Sequence, residues 1–257
     1  MTVKKQQIIE IVNQSGIKDA SVCSFLPLLP FLIDCRAKSR LPENPKSVIV
    51  CIFPYKVKEE KPKNISRYCA VPDYHTVVLN YLNKTAENLK NAFTGFNFKP
   101  FADNSPVPEV RAGVLAGLGV KGDNGLLINQ KYGSFIFIGE IVTDLEIETE
   151  EFNGECLHCG NCKKYCPKNT GIECLSAVTQ KKKDLTDLEK NVLKKYKTVW
   201  GCDICSDVCP MNKNAKTTYI KEFIQNYRDQ YIVGEDISNR AFNWRGEKVI
   251  ARNAKLQ

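Results

Sequence analysis

The stretch from Glu155 to Leu175, ECLHCGNCKKYCPKNTGIECL, places five cysteines within 21 residues, and their spacing constrains this chain more than any other feature. Cys156, Cys159 and Cys162 follow one another at Cys-x2-Cys intervals, and Cys166 comes after three intervening residues, directly before Pro167. In such a run three closely spaced thiolates wrap one corner of an iron-sulfur cubane, while the fourth reaches toward a second cluster. A second run, Cys202, Cys205 and Cys209 before Pro210, follows downstream, with Cys174 between the two. Eight cysteines divide evenly into two 4Fe-4S clusters. By the crossed logic of the motif, Cys156, Cys159 and Cys162 share one cluster with Cys209, and Cys202 and Cys205 share the other with Cys166 and Cys174. Structural zinc also uses Cys-x2-Cys pairs, but it takes four ligands in two pairs and has no use for the third cysteine or the Cys-Pro step. His158 lies inside the first motif, where every cubane position is already supplied, so it reads as a residue beside the cluster or at the surface.

The chain has 257 residues and twelve cysteines, and disulfides would be the alternative use for so much sulfur. Eight of the twelve crowd into 156–209, and the N-terminus MTVKKQQIIEIVNQSG lacks the apolar core and cleavage site of a secretion signal, so reduced thiolates awaiting metal are expected, in a cytoplasmic protein. No apolar run approaches the roughly 20 residues needed to span a bilayer, and no membrane partner is expected. Of the other four cysteines, Cys51 falls in an apolar run and reads as packing; nothing marks Cys23, Cys35 or Cys69 as catalytic. The net charge is +8, and residues 156–216 hold twelve Lys against six acidic residues, a local +6. Two oxidised cubanes with their thiolates would contribute about −4 there. The basic residues therefore fit compensation of cluster charge as well as they fit contact with RNA.

Residues 1–16 read as a short amphipathic helix through Ile8, Ile9 and Val12, stopped at Gly16. SVIVCIF, 47–53, is a β-branched run that reads as a buried strand closed by Pro54. From Tyr74 to Phe93 the positions Val78, Leu82, Leu89 and Phe93 fall on one helical face. GLLIN, 125–129, and SFIFIGEIV, 134–142, read as strands joined by a short turn. Thr186 followed by Glu189 is a capping-box signature for a helix in the cysteine-rich part, and 217–231 reads as a helix with Tyr219, Phe223 and Tyr227 in one stripe. The expected architecture is α+β: a mixed α/β body over 1–150, a ferredoxin-like double 4Fe-4S module over 151–216, and a helical return over 217–257.

GLGVKG, 117–122, matches the G-x-G-x-x-G pattern of dinucleotide sites. Such a site needs a strand, then the glycines, then a helix whose N-terminus meets the pyrophosphate. Here the glycines follow the helix-like EVRAGVLA and precede GLLIN, so they read as a helix-to-strand loop rather than an NAD site.

With that loop in place, the order SRLPENPKSVIVCIFPY, ISRYCAVPDYH, DNSPVPEVRAGVLAGLGVKGDNGLLI, YGSFIFIGEIVTDLE and the two cysteine motifs resembles the epoxyqueuosine reductases. These are cobalamin and iron-sulfur enzymes related in fold to reductive dehalogenases, with a nitroreductase-like body. The resemblance covers about 30–253. It implies reduction of epoxyqueuosine in tRNA to queuosine, with electrons passing from a low-potential donor such as ferredoxin or flavodoxin through two 4Fe-4S clusters to cobalt. It implies a proton donor at Asp103, the aspartate opening the D-x-x-P stretch, kept neutral by desolvation. It places Tyr68, Asp73, Tyr74 and His75 in a stretch near the pocket, Tyr74 with a structural role as an equal alternative, and counts Tyr68, Asp73, His75, Arg111, Gly119, Asn124 and Ser134 toward cofactor binding.

Three departures from the family pattern stand out. Gly122-Asp123-Asn124 replaces the usual Gly-Lys-Asn. The arginine past the aspartate aligns with Val110, leaving Arg111 one step, about 100°, round the helix. The sequence ends at RNAKLQ, where full-length members continue into a helical-repeat domain, so a short form with less surface for tRNA is expected. Two other functions stay open: an electron carrier without cobalamin, and a cobalamin reductase acting on a small substrate. Asp103 also has an ordinary reading, as a cap for the helix that follows Pro106.

Overall fold

The computed structural model describes residues 2–58, 60–150, 152 and 154–257, which fall into two compact units. The first comprises 1–53, 75–130 and 136–157; the second comprises 54–74, 131–135 and 158–257.

The first unit is built on a four-stranded sheet in the order Ala20–Ser24, Ser47–Pro54, Ile136–Thr143, Phe98–Ala102, with both outer pairs antiparallel. The expected strand in SVIVCIF is one of the two inner strands, and every residue of Ser47–Pro54 is buried. Burial on both faces is why that run is apolar throughout rather than alternating. The Tyr74–Ala92 helix packs on this sheet through Val78, Leu82 and Leu89, all fully buried, whereas Phe93 falls just past its end. Gly139 makes the approach possible, since a Cβ there would press into Val78 and Leu82. The N-terminal helix, Lys5–Gln14, buries Ile8 and Val12, and Gly16 takes the left-handed conformation that ends it.

GLLIN differs from expectation. Only Leu127–Ile128 is strand, and it pairs back, antiparallel, with Val120–Lys121 rather than with the strand that follows. The pass after EVRAGVLA is therefore helix (Glu109–Leu115), loop, hairpin, which is the inverted order that rules against a dinucleotide fingerprint.

The second unit gathers short helices around two apolar clusters. One contains Ile65, Trp200, Tyr231, Phe242 and Ile250, with the Trp200 and Phe242 rings 5.6 Å apart; the other contains Ile172, Leu175, Val178 and Leu193. The Asp187–Tyr196 helix opens with the expected reciprocal cap: the Glu189 N–H donates to Thr186 Oγ1 at 3.3 Å and the Thr186 N–H donates to Glu189 Oε2 at 2.9 Å. The 217–231 helix is not formed as expected; only Lys221–Gln225 is helical. Tertiary bonds take the flanking backbone instead, with Thr218 N–H donating to the Lys56 carbonyl at 2.7 Å and Tyr231 N–H to Asn64 Oδ1 at 2.8 Å. Among the described residues no helix is long and apolar enough to cross a membrane.

Candidate active site

Asp103 sits just past the Phe98–Ala102 strand, in a loop that doubles back twice within three residues: Asn104 N–H donates to the Ala102 carbonyl at 2.7 Å and Ser105 N–H to the Asp103 carbonyl at 2.8 Å. Asp103 itself has φ of 59°, a left-handed conformation that costs a residue with a Cβ about 1 kcal/mol or more. Its Oδ2 lies 3.3 Å from His75 Nε2 and its N–H donates to Glu109 Oε1 at 3.0 Å. Asp103 is not the cap of the next helix, whose N-cap position is Pro108 and lacks a side-chain cap. Nor does this chain bury it: the Asp103 side chain is 60% exposed, so the desolvation expected around the acid is not supplied by its immediate surroundings.

Two further carboxyls lie beside it, one half-buried and one buried. Glu109 opens the Glu109–Leu115 helix, and desolvation, followed by the charge of Asp103, pushes its carboxyl up to about 7. Glu140, on the Ile136–Thr143 strand, is fully buried and accepts a hydrogen bond from Ser105 Oγ at 2.6 Å; desolvation and then the charge of Glu109 drive it well above the ordinary carboxylate range. Neither is among the site residues expected from the sequence. Glu140 has a signal there, being the only charge inside SFIFIGEIV; Glu109 has none, because an acid in the first turn of a helix is an ordinary partner of the helix dipole.

The other expected site residues divide between the units. In the first, Arg111 stacks its guanidinium 3.6 Å from the Phe31 ring centroid. Gly119 has a local reason to be glycine, since a Cβ would collide with the Ile128 carbonyl of the hairpin. Asn124 Oδ1 accepts the Leu126 N–H at 3.2 Å, and its Nδ2 is buried with no partner among the described residues. An orphaned buried donor is a feature that a bound acceptor would relieve. In the second unit, Tyr68 Oη accepts from Trp200 Nε1 at 2.6 Å, and Asp73 N–H donates to the Asn239 carbonyl at 3.1 Å. Ser134 is locked by Asn212 and Ser206: Asn212 Nδ2 donates to Ser134 Oγ at 2.8 Å, Ser134 N–H donates to Asn212 Oδ1 at 2.9 Å, and Ser134 Oγ lies 3.0 Å from Ser206 Oγ. Ser134 thus has a packing role that requires no ligand.

Of the eight motif cysteines, Cys156 falls in the first unit and the other seven in the second. None of the eight is in a disulfide, and none is fully buried. Within the second unit the Asn161–Lys164 helix, carrying Cys162, packs on the Ile204–Asp207 helix, carrying Cys205, and Asn161 Nδ2 donates to the Val208 carbonyl at 3.4 Å, next to Cys209. On the other side Gly201 N–H donates to Thr179 Oγ1 at 3.1 Å, joining the helix after Cys174 to the residue before Cys202. Burial pushes the Cys202 thiol up to about 12, and the charges of Cys205, Asp203 and Cys174 add to the shift. His158 is exposed, with a left-handed φ of 47°. By contrast Cys23, Cys51 and Cys69 are buried, which pushes their thiols up, Cys23 and Cys69 to about 12, and leaves them inert; Cys69 Sγ also donates to the Ser66 carbonyl at 3.1 Å.

Residues 36–104, ending just past Asp103, match the family model described as epoxyqueuosine reductase QueG, DUF1730. An epoxyqueuosine reductase of Lactococcus garvieae is 31% identical over 240 residues, an alignment that covers 82% of this chain and 68% of that protein. The chain belongs to the epoxyqueuosine reductase family. The fold agrees: a crystal structure of an epoxyqueuosine reductase with an epoxyqueuosine-modified tRNA-Tyr stem loop superposes with a TM-score of 0.80 at 22% identity, covering 98% of this chain and 80% of the other. A catabolic reductive dehalogenase shares the fold more distantly, with a TM-score of 0.52 at 17% identity over 97% of this chain and 36% of its own. The mixed α/β architecture expected from the sequence is thus the one that the family and its distant dehalogenase neighbours share.

Proposed function

We propose that this epoxyqueuosine reductase family member removes the epoxide oxygen of epoxyqueuosine in tRNA, using two 4Fe-4S clusters and cobalamin. The observation that carries the reading is the Asp103 loop, in which a strained aspartate at the head of the D-x-x-P stretch is held by His75 on one side and Glu109 on the other. Family membership supplies the substrate class, and the tRNA stem loop bound by the solved relative supports it.

The cluster ligands are Cys156, Cys159, Cys162 and Cys209 for one cubane and Cys166, Cys174, Cys202 and Cys205 for the other. The neighbouring of Cys162 with the Cys209 segment and of Cys174 with Cys202 supports this crossed division. For cobalamin the support is Asn124, whose unpartnered Nδ2 offers a donor; His75, Tyr68, Asp73, Arg111, Gly119 and Ser134 complete the set drawn from the family pattern. The chemistry that such cofactors supply when bound is low-potential one-electron transfer from cubanes to a strongly reducing cobalt.

The net reaction takes the epoxide, two electrons and two protons to an alkene and water. The chain's own contribution is at the oxygen: Asp103 delivers a proton as the carbon-oxygen bond breaks, because an alkoxide is a poor leaving group and a positioned acid accelerates such a step by about 100-fold or more. His75, whose Nε2 lies 3.3 Å from Asp103 Oδ2, orients the Asp103 carboxyl. A low-potential donor such as ferredoxin or flavodoxin recharges the clusters, and the work is cytoplasmic, where tRNA is modified.

The test is single-turnover reduction of an epoxyqueuosine-containing tRNA stem loop by protein reconstituted with iron, sulfide and cobalamin and chemically reduced. Queuosine formation that depends on added cobalamin is the expected result. Retention of iron without retention of cobalamin or turnover would identify an electron carrier instead, and turnover confined to small epoxides or halides would exclude the tRNA substrate.

A further inference from the structure

The Asp103 loop contains no regular helix or strand, and yet it is tied at both ends by carboxyls. At one end Glu109 Oε1 accepts the Asp103 N–H at 3.0 Å. At the other, Ser105 Oγ donates to Glu140 Oε2 at 2.6 Å and accepts the Val107 N–H at 3.1 Å. Glu140 is fully buried and Glu109 half-buried, and a carboxyl so placed gives up much of its hydration, which makes it a costly way to anchor a loop. Burial raises both groups, Glu109 to about 7, with the charge of Asp103 adding to the shift at Glu109 and that of Glu109 to the shift at Glu140. The strain at Asp103 is real as well: its φ of 59° persists only because something outside the residue fixes it. Costly anchors on a strained residue mark a position that is held for chemistry rather than for stability.

We propose that Glu109 is a positioning residue for the reaction: by accepting the Asp103 N–H it holds Asp103 in its left-handed conformation and presents the Asp103 carboxyl to His75 in the geometry from which the proton is delivered. The Ser105–Glu140 bond fixes the far end of the same loop. This inference rests on Asp103 being the proton donor. The geometry is specific, because Glu109 lies in the first turn of its helix and reaches back six residues to that one N–H. Shortening or removing its side chain leaves Asp103 free to relax to negative φ, which swings the carboxyl away from His75.

The experiment is a double-mutant cycle in single-turnover reduction, with iron content and thermal midpoint measured on every variant. Asp103→Asn should lose roughly 100-fold in turnover. Glu109→Ala should lose roughly 10-fold to 100-fold, the effect of misplacing a catalytic group by about an ångström. Glu109→Gln, which keeps the accepting oxygen, should recover most of that loss. Adding Glu109→Ala to Asp103→Asn should cost nothing further, since there is no acid left to position. Equal losses from Glu109→Ala in both backgrounds, or no loss in the wild-type background, would overturn the positioning role. Should Glu109→Ala fail to fold, Glu109→Asp keeps the charge but falls one methylene short of the Asp103 N–H, and unchanged turnover in that variant would overturn it equally. Normal turnover by Asp103→Asn alone would instead refute the proton-donor reading, and the positioning role with it, in an arm of the experiment that does not involve Glu109.

Discussion

His75 Nε2 and Asp103 Oδ2 stand 3.3 Å apart, a contact that ties the first turn of the Tyr74–Ala92 helix to the loop after the Phe98–Ala102 strand. The helix is anchored on the sheet by Val78 and Leu82, so His75 is a fixed post against which a movable carboxyl can be oriented. Removing the imidazole leaves the Glu109 bond to the Asp103 backbone in place but lets the carboxyl rotate about its own side-chain torsions. His75→Phe should therefore lower single-turnover reduction by about 10-fold to 100-fold, with iron content and thermal midpoint close to wild type. Unchanged turnover would remove His75 from the proton-delivery apparatus.

Asn124 separates two jobs by atom. Its Oδ1 holds the turn through the Leu126 N–H, while its Nδ2 is buried without a partner among the described residues. Asn124→Asp keeps an acceptor for the turn and removes the donor. If the orphaned donor serves cobalamin, that variant should retain the cofactor about 10-fold more weakly in equilibrium dialysis, the size expected from losing one hydrogen bond in a closed site, with iron content unaltered. Wild-type retention would show that the donor has another use.

Glu109 makes stability depend on pH in a definite direction. Its folded carboxyl titrates near 7 against an ordinary value of 4.5, so between those values the folded state holds more protons than the unfolded chain. The stability this group contributes is complete below about 4.5 and is lost as pH rises toward 7. Glu109→Gln removes the titration; it should leave stability near pH 4.5 unchanged and raise it at pH 8 by on the order of 1–3 kcal/mol. Urea unfolding of both proteins at the two pH values measures the difference. A variant no more stable than wild type at pH 8 would mean that the Glu109 carboxyl is better hydrated than its surroundings indicate.

Much of this arrangement is legible in the amino-acid sequence, for reasons that are physical. The run SVIVCIF identifies itself because an inner strand is apolar on both faces, and Thr186 with Glu189 identifies a helix start because the reciprocal cap is a purely local interaction. The cysteine spacing is legible because metal geometry is local too. What stays hidden depends on distant partners. Ala20–Ser24 and Phe98–Ala102 are strands because they pair at the two edges of the sheet, and neither has a pattern of its own. The 217–231 stripe has helical spacing, but Lys56 and Asn64 claim its backbone groups. The anchoring of Asp103 is the least visible: Asp103, Glu109 and Glu140 are brought together only by the turn from strand to helix and by the register of Phe101 opposite Glu140.

Cys174 gives the sharpest test of how the sulfur is shared. It stands outside both compact motifs, exposed, at the N-cap position of the Leu175–Thr179 helix, where an ordinary cysteine would have no structural work to do. Its charge nevertheless contributes to raising Cys202, whose thiol burial has already pushed up to about 12. A thiol as buried as that of Cys202 ionises when a metal supplies the compensating positive charge, and four thiolates satisfy one cubane. Cys174→Ala should therefore reduce the iron content from about eight to about four per chain and remove one cluster signal from the EPR spectrum of the reduced protein, leaving the other intact. The remaining cluster reports on folding within the same sample. An unchanged content of about eight would exclude Cys174 from the ligand set, and loss of both clusters would show that the two sites fold as one cooperative unit.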